Sequence, residues 1–519
     1  MTAGSAGESL LLRNARVYDG GPGSTAVAVR DGRIAFVGDD DAAAAHAGGA
    51  ELDLGGALVT AAFVDTHVHT VRTGFALTGL DLTGSPSLRH TLDALAAHAA
   101  VTPEAGVLVG QGWDETGWPE GRVPTGDELE RAAPGRRSYL TRVDGHSSVI
   151  SPVLAALVPG LDQLDGWTTD GRVERDAHHA VRNVLEGLIG PDDRLAAARA
   201  ACRAMAAQGI VGFHENAAPH IGPETEIEVV RRVAAEVGLR ATAYWGELLA
   251  VDTAARLGVA GLAGDLVADG AFGSRTAALS TPYTDRDQTC GHAYVTADQV
   301  RDHVVACTEA GLQAGFHCIG DAALTAIDEG LCAAEAVLGA ERIRAARHRL
   351  EHVEMPAPHM VATMARLGVV ASVQPMFDAL WSGPDGMYAA RLGERWRDTN
   401  PFADLAAGGV RLSFGSDSPV TPLGPWAAIR AAVHHQAPGQ GLSPAQAFHA
   451  HTRGGTYAAR DDEGGLLRVG QRADLAVWDV PGGLAADGLP DLTPGGDLPV
   501  LRRLLASGRT IHDSEETHP

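Results

Sequence analysis

The sequence predicts an α/β protein: a TIM-like (β/α)8 barrel with a small discontinuous β-sandwich domain formed by both termini. Three observations lead to this expectation. The middle of the chain alternates short apolar runs with segments of helical periodicity, which is typical of βα units around a parallel sheet. Both ends of the chain are instead rich in short β segments. The length of 519 residues leaves room for more than one structural unit.

The predicted barrel strands are apolar runs separated by helices such as 195–208 and 296–310. Their number matches the eight strands that close such a barrel. The predicted strands are 63–65, 210–214, 240–245, 266–268, 313–317, 349–352, 369–374 and 411–414.

The β segments at the two ends predict the composite sandwich. Near the N-terminus these are 10–17, 26–30 and 33–37, with Asp31-Gly32 as a hairpin turn. Near the other end, 465–478 and 500–511 have the same character. We therefore expect a sandwich from residues 1–60 plus 455–519 and a barrel over 61–454. The barrel would carry an insertion at about 72–195, which is longer than an ordinary βα connection.

The formal net charge of −24 argues against nucleic-acid and anionic-membrane partners, which require clustered basic residues. The N-terminus lacks a secretory leader pattern, and no run approaches the roughly 18 apolar residues that span a bilayer. We expect a cytoplasmic protein that acts on a small molecule. A homodimer is the commonest assembly for such a protein.

His67-Val-His69 ends the β run that begins with the first predicted strand. Residues two apart on a strand point to the same face, so two imidazoles can meet one metal ion. Taken alone this spacing is weak evidence in a chain with 22 histidines. His317, His352 and Asp417 strengthen it, because they also follow apolar runs, where a barrel gathers its active site.

Other acidic residues follow the same rule, and each has a structural alternative. The Asp265/Asp269 region ends the fourth predicted strand, although Asp269-Gly270 also reads as a plain turn. Asp417 is equally able to cap a helix. Asp65 and Asp321 are candidates to orient the histidines by contacting them without binding the ion. The joint occurrence of these residues in strand order predicts a metal site.

Neutral imidazoles and a carboxylate hold Zn²⁺ or a similar ion and leave one position for water. The ion lowers the pKa of that water to about 7. A neighbouring carboxylate can then accept the proton and pass it to a leaving amine. Asp417 is the best candidate for this shuttle.

Several further motifs accompany these residues, and they lie along nearly the whole chain. They are Gly112-Trp-Asp-Glu115, Pro124-Thr125, Arg142-Val-Asp-Gly-His146, Asp269-Gly-Ala-Phe-Gly-Ser-Arg-Thr-Ala277, His317-Cys-Ile-Gly-Asp321, Arg349-Leu-Glu-His352, Gly415-Ser-Asp417 and Gly470-Gln-Arg-Ala-Asp474. With His67-x-His69 they resemble the amidohydrolase superfamily, specifically its YtcJ-like branch, which includes N-substituted formamide deformylases.

The resemblance implies a metal-dependent hydrolase of amide or related C–N bonds. It implies that His67 and His69 hold one ion, that His317 and His352 hold a second, and that Asp417 is both a ligand and the base.

The insertion contributes three candidate substrate-binding residues, Trp113, Arg142 and His146. Arg142 and His146 resemble substrate-pocket positions, although an ion pair between Arg142 and Asp144 would explain two residues of that motif equally well. Trp113 is an aromatic candidate that fits a protein core equally well.

The sequence departs from the family at one position. Members usually carry a lysine before the Asp-Gly-x-x-Gly-Ser-Arg segment, and its carbamate bridges two metals. Asp265 occupies that position, and this chain has no lysine at all. Three alternatives follow: Asp265 or Glu215 bridges two ions, a single ion is bound by His67, His69, a further histidine and Asp417, or the metal and catalysis are lost.

The expected function is therefore hydrolysis of an N-acyl, N-formyl or cyclic amide by metal-activated water. The expected cofactor is one or two divalent ions, Zn²⁺ first, with Mn²⁺ and Fe²⁺ as alternatives. A mononuclear, deaminase-like hydrolase and a non-catalytic barrel that binds a small molecule are the competing hypotheses.

Overall fold

The structure is a computed structural model that describes residues 9–104, 106–142 and 147–515. Within this part of the chain two compact units are distinguished. One comprises Met1–His69 and Cys202–Pro519, and the other is Thr70–Ala201. Among the described residues no helix is long and apolar enough to cross a membrane.

The larger unit contains a parallel barrel, so the predicted TIM-like fold is confirmed. Eight of the described strands form its sheet in chain order. The ends of the sheet meet where the Asp417 amide donates to the His67 carbonyl at 2.7 Å and the His69 amide to the Ser418 carbonyl at 3.0 Å. The strands are β1 (Phe63–Val68), β2 (Ile210–Ala217), β3 (Arg240–Trp245), β4 (Gly261–Leu262), β5 (Gln313–Cys318), β6 (Arg349–His352), β7 (Val370–Val373) and β8 (Arg411–Phe414).

The fourth strand differs from the prediction. It is Gly261–Leu262, and the predicted strand at 266–268 was wrong. Gly264 lies between the two segments with φ +73°, a left-handed conformation that interrupts an extended strand. After this turn the chain makes one isolated bridge, from Val267 to His317, alongside the end of β5. The turn brings Asp265 to the end of the barrel where the strands finish.

Helices connect the barrel strands. Thr296 caps the helix predicted at 296–310, accepting from the Gln299 amide in a capping box. The α-helices from residue 191 onward are Pro191–Ala207, Thr225–Val237, Val251–Leu257, Ala297–Glu309, Asp321–Leu338, Ala340–Ala346, Pro358–Leu367, Pro375–Trp381, Met387–Leu392, Phe402–Ala407, Pro425–Val433, Pro444–Ala450 and Arg453–Ala458.

Both termini contribute to two sheets of the same unit. One buried apolar cluster contains side chains from both sheets, such as Leu12, Val29, Val477 and Leu505, so the sheets pack as a sandwich. Only the last part of the predicted segment 465–478 is a strand. One sheet has the order Arg33–Gly38, Ala26–Arg30, Ser9–Arg13 and Ala50–Asp53; the other is Arg16–Val17, Leu58–Ala61, Leu475–Asp479, Val500–Ala506 and Arg509–Asp513.

Asp474 joins the barrel to the sandwich. Its carboxylate accepts from Arg240 of β3 at 2.5 Å and from Arg472 at 2.6 Å. Its other oxygen accepts from the Ser507 amide at 2.9 Å, and the side chain is only 3% exposed. This buried acid therefore anchors the C-terminal strands to the barrel wall.

The smaller unit, Thr70–Ala201, has its own α/β core. Its described strands pair in the order Arg172–Glu174, Ser147–Ile150, Ser138–Arg142, Leu108–Trp113 and Leu80–Asp81. The helices within it include Thr70–Thr78, Leu88–Val101, Gly126–Ala132, Pro152–Ala155 and Arg175–Leu188.

Candidate metal centre

Strand β1 places both of its histidines in the barrel interior. Phe63–Val68 is buried along its whole length, and His69 follows directly. The Asp65 carboxylate accepts from the His67 amide at 3.1 Å and from the Ser416 amide at 2.9 Å. Burial raises the pKa of Asp65 to about 6. Asp65 therefore supports the backbone around His67.

Two carboxylates meet these imidazoles. His67 Nε2 lies 3.2 Å from Asp265 Oδ1 and 3.4 Å from Asp417 Oδ1. His69 Nε2 lies 3.3 Å from Asp265 Oδ2 and 3.1 Å from Asp417 Oδ1. Strand ends far apart in sequence thus bring four metal-ligating side chains to one point.

These distances fit a divalent ion. Four donors about 2.1 Å from a tetrahedral Zn²⁺ lie about 3.4 Å apart. The four His–carboxylate N···O distances here span 3.1 to 3.4 Å, with a different Asp265 oxygen facing each histidine. The buried His67 Nε2 and Asp265 Oδ1 atoms have no hydrogen-bond partner, although buried polar atoms are normally paired. His67, His69 and Asp417 therefore form one candidate ligand group, and Asp265 joins His67 and His352 in a second.

The other two predicted histidines lie beside this group. Ligand atoms of His352, His67 and Asp265 all fall within 4.8 Å of one another. His317 Nδ1 is 3.9 Å from Asp265 Oδ1, and the His317 and His352 rings are 4.4 Å apart. Asp265 thus lies between one histidine pair from β1 and another from β5 and β6.

The protonation of the site follows from this clustering. Burial alone would lower the pKa values of His67 and His69, but Asp265 and Asp417 raise them, to about 9 for His69. Burial alone would raise the pKa values of Asp265 and Asp417. The neighbouring histidines outweigh burial, so the pKa of each carboxylate is lowered. Without a bound metal ion, His67 and His69 are therefore protonated and carry the positive charge of the cluster.

Backbone strain marks two of the ligand positions. His352 and Asp417 adopt positive φ values of 70° and 55°, and Val353 has 50°. Such conformations are unfavourable for non-glycine residues, above all for a β-branched valine, and cluster at functional sites. The predicted helix cap at Asp417 is wrong, because no helix begins until Pro425.

The side chains that orient the histidines differ from those predicted. His67 Nδ1 lies 2.9 Å from Glu351 Oε2, and His352 Nδ1 lies 2.7 Å from Gln374 Oε1. Asp321, predicted for this role, instead accepts from the Ser280 amide at 2.9 Å, so that prediction was wrong. The Arg-Leu-Glu-His motif contained Glu351, but nothing in it distinguished an orienting role.

Asp269 has a structural role. It is completely buried and accepts from the amides of Ala278, Ile319 and Gly320 at 2.8 to 2.9 Å. Burial raises its pKa to about 6. It therefore ties the loop after Asp265 to the end of β5.

Glu215 does not join the ligands. The possible metal-binding groups found among the described residues do not include it. On β2 its neighbours His214 and Asn216 face the barrel interior: His214 Nδ1 is 2.7 Å from Arg349, and Asn216 Nδ2 donates to Thr66 at 3.4 Å. Strand alternation points Glu215 to the opposite face, where burial and then the charge of Glu215 raise the pKa of Cys202.

The candidate substrate residues lie in the smaller unit. Trp113 has no exposed surface, belongs to an apolar core, and donates its indole hydrogen to the Leu140 carbonyl at 3.0 Å. Trp113 is therefore a core residue, and the structure does not support its predicted contact with substrate. Arg142 pairs with Asp114 and Glu115 at 2.9 Å each. His146 and Asp144 fall outside the described residues.

Comparison with known proteins agrees with this geometry. The model of the amidohydrolase family matches residues 50–492, which include every strand of the barrel and all the ligand candidates. The chain belongs to the amidohydrolase family. This membership makes it a hydrolase.

Individual relatives place this amidohydrolase in the YtcJ-like branch. It is 26% identical to the putative amidohydrolase YtcJ of Bacillus subtilis, with 74% of each chain covered. It is 24% identical to an N-substituted formamide deformylase of Arthrobacter pascens, covering 88% of this chain and 90% of the relative. An uncharacterized metal-dependent hydrolase from Pyrococcus furiosus superimposes with a TM-score of 0.75 at 25% identity, covering 90% of this chain and 98% of that one.

Proposed function

We propose that this amidohydrolase uses a divalent metal to hydrolyse a C–N bond other than a peptide bond in a small molecule. The expected substrates are amides, formamides and cyclic amides. The convergence of His67 and His69 on the carboxylates of Asp265 and Asp417, with N···O distances of 3.1 to 3.4 Å, carries the proposal. The similarity to a protein named as a formamide deformylase supports the choice of bond.

A divalent ion at this position supplies Lewis-acid chemistry, lowering the pKa of water and polarising a carbonyl group. The protein contributes fixed donors on rigid strand ends. Their preorganisation keeps the ligands in place while a substrate is bound.

Asp417 is the proposed proton shuttle. Its Oδ1 lies within 3.4 Å of both β1 histidines. The histidines lower its pKa against the effect of burial, so the carboxylate is ionised and able to accept a proton at neutral pH. We expect it to receive a proton from the attacking water and deliver it to the leaving nitrogen.

We further propose that Asp265 takes the place of the missing lysine as a metal ligand. Its two oxygens approach different β1 histidines, at 3.2 and 3.3 Å, and Oδ1 also faces His317. The mixed nitrogen and oxygen donors favour Zn²⁺, with Mn²⁺ and Fe²⁺ as alternatives. His67, His69 and Asp417 are the proposed ligands of one ion together with Asp265, and His317 and His352 are available for a second.

Metal analysis is the first test. Protein expressed with added Zn²⁺, Mn²⁺ or Fe²⁺, then desalted, should retain at least one equivalent of metal per chain. A content well below one equivalent under all three conditions would reject the proposed function.

Turnover is the second test. A panel of N-acyl, N-formyl and cyclic amides should include a substrate that wild-type protein cleaves and Asp417→Asn does not. Asp321→Asn is the control, since Asp321 bonds Ser280 and no histidine. Release of ammonia in place of carboxylate and amine would assign a deaminase instead, and binding without turnover across the panel would favour a non-catalytic barrel.

A further inference from the structure

We propose that Glu351 is a positioning residue for the metal centre. Its carboxylate holds the His67 ring in the tautomer and orientation that present Nε2 to the ion, and Arg349 holds that carboxylate in place. This inference rests on the proposed metal-dependent function. It assigns a role to two buried charged side chains that are absent from the ligand groups found in the described part of the chain.

The contact between Glu351 and His67 selects the tautomer. Glu351 Oε2 lies 2.9 Å from His67 Nδ1. An ionised carboxylate only accepts hydrogen bonds, so Nδ1 carries the hydrogen. In the neutral ring the lone pair is then on Nε2, the atom 3.2 Å from Asp265. The other tautomer would place a hydrogen where the ion must bind.

Arg349 fixes the carboxylate by a two-point contact. Its Nε donates to Glu351 Oε1 at 2.6 Å and its Nη2 to Oε2 at 3.0 Å. The guanidinium also donates to the Thr66 carbonyl at 2.6 Å, contacts His214 at 2.7 Å and lies over the Tyr244 ring at 4.5 Å. Contacts from several barrel strands therefore immobilise it.

Stability alone does not account for this pair. Arg349 and Glu351 are both fully buried, and removing two charges from water often costs as much as their attraction returns, so apolar side chains can serve a core equally well. The hydrogen-bond partners of His67 and His352 differ in charge. His67, which belongs to both candidate ligand groups, has a carboxylate partner, whereas His352 has the neutral amide of Gln374. A carboxylate partner makes an imidazole the stronger ligand.

Two substitutions of Glu351 test the charge and the length of its side chain separately. Glu351→Asp keeps a charge for Arg349 but ends about 1.5 Å short of His67. Glu351→Gln keeps the length and loses the charge. Full-length apoprotein would be titrated with Zn²⁺ against a chromophoric chelator, and the melting temperature of each apoprotein recorded. We expect each variant to bind zinc about 10–100-fold more weakly than wild type.

Ser372→Ala is the matched control. Ser372 Oγ contacts Arg349 Nη2 at 3.1 Å and Thr66 Oγ1 at 2.9 Å, so its loss disturbs the same buried network without removing the His67 partner. We expect a lower apoprotein melting temperature with unchanged zinc affinity. If Glu351→Gln does not fold, Glu351→Asp carries the comparison, because it keeps a buried negative charge opposite Arg349.

Three outcomes would overturn the assignment. Zinc affinity within twofold of wild type in the folded Glu351 variants would show that His67 needs no partner. An equal loss of affinity in Ser372→Ala would attribute the effect to general destabilisation. A wild-type protein that retains none of Zn²⁺, Mn²⁺ and Fe²⁺ would overturn the proposed function itself, and this assignment with it, so the two failures are distinguishable.

Discussion

Replacing Asp265 by alanine should weaken zinc binding about a hundredfold to a thousandfold. In four-ligand protein sites zinc binding is worth about 10–16 kcal/mol. An equal share for each donor is about 2.5–4 kcal/mol, and each 1.36 kcal/mol corresponds to about a tenfold change. Asp265 is expected to supply a full share, since its oxygens lie 3.2 and 3.3 Å from the nitrogens of His67 and His69.

The assay is competition with a chelator of known affinity, followed by metal analysis of the desalted protein. Glu215→Gln is the matched control, because Glu215 is also a buried acid on a barrel strand but lies on the opposite face from the ligands. It should bind zinc as wild type does. If Asp265→Ala retained wild-type affinity, or if Glu215→Gln lost it, the assignment of Asp265 as the ligand would be refuted.

Three further predictions concern stability. Asp474→Asn removes the buried carboxylate that pairs with Arg240 and leaves Arg472 with Asp461 alone, and it should lower the free energy of unfolding by about 3 kcal/mol in urea denaturation. His348 is buried with its pKa lowered to about 3 by burial, then by His303 and Arg460, so its contribution is complete above pH 6.5 and is lost on acidification. Between pH 6.5 and 5 this loss is about 2 kcal/mol, and His348→Asn should lack it. Removing zinc should lower the melting temperature, since zinc at 100 times its Kd stabilises by about 2.7 kcal/mol.

Each of these has a contrary outcome. Glu463→Gln, which removes a 60% exposed partner of Arg33, is the control for Asp474; equal losses in the two variants would contradict the anchoring role. An unchanged pH slope in His348→Asn would mean that another group takes up the proton. Identical melting curves with and without zinc would contradict binding to the folded state.

Part of the centre was predictable because its evidence is local. His67 and His69 are two residues apart on one strand, so the backbone itself puts them on one face. Asp417 and His352 end apolar runs, and the parallel barrel gathers such ends wherever they lie in the chain.

Other features depended on contacts that a linear pattern does not contain. Each residue of Arg349–His352 is buried, so no polar–apolar alternation distinguishes the candidate ligand His352 from its neighbours Glu351 and Arg349. Trp113 illustrates the same ambiguity, because an aromatic side chain suits a pocket and a core equally well until its neighbours are known. The fourth strand was misplaced because the turn at Gly264 depends on φ, which composition does not report.

The sequence by itself determined the barrel, the sandwich from both termini and the family, since these follow from hydrophobic periodicity and local motifs. It also determined that no lysine can serve this centre. Only the tertiary structure placed Asp265 beside the histidines and Glu215 on the other face of its strand, because the direction of each side chain depends on the path of the backbone. The contact between His67 and Glu351 was likewise visible only in the tertiary structure, since it joins two barrel strands through residues 284 positions apart in the sequence.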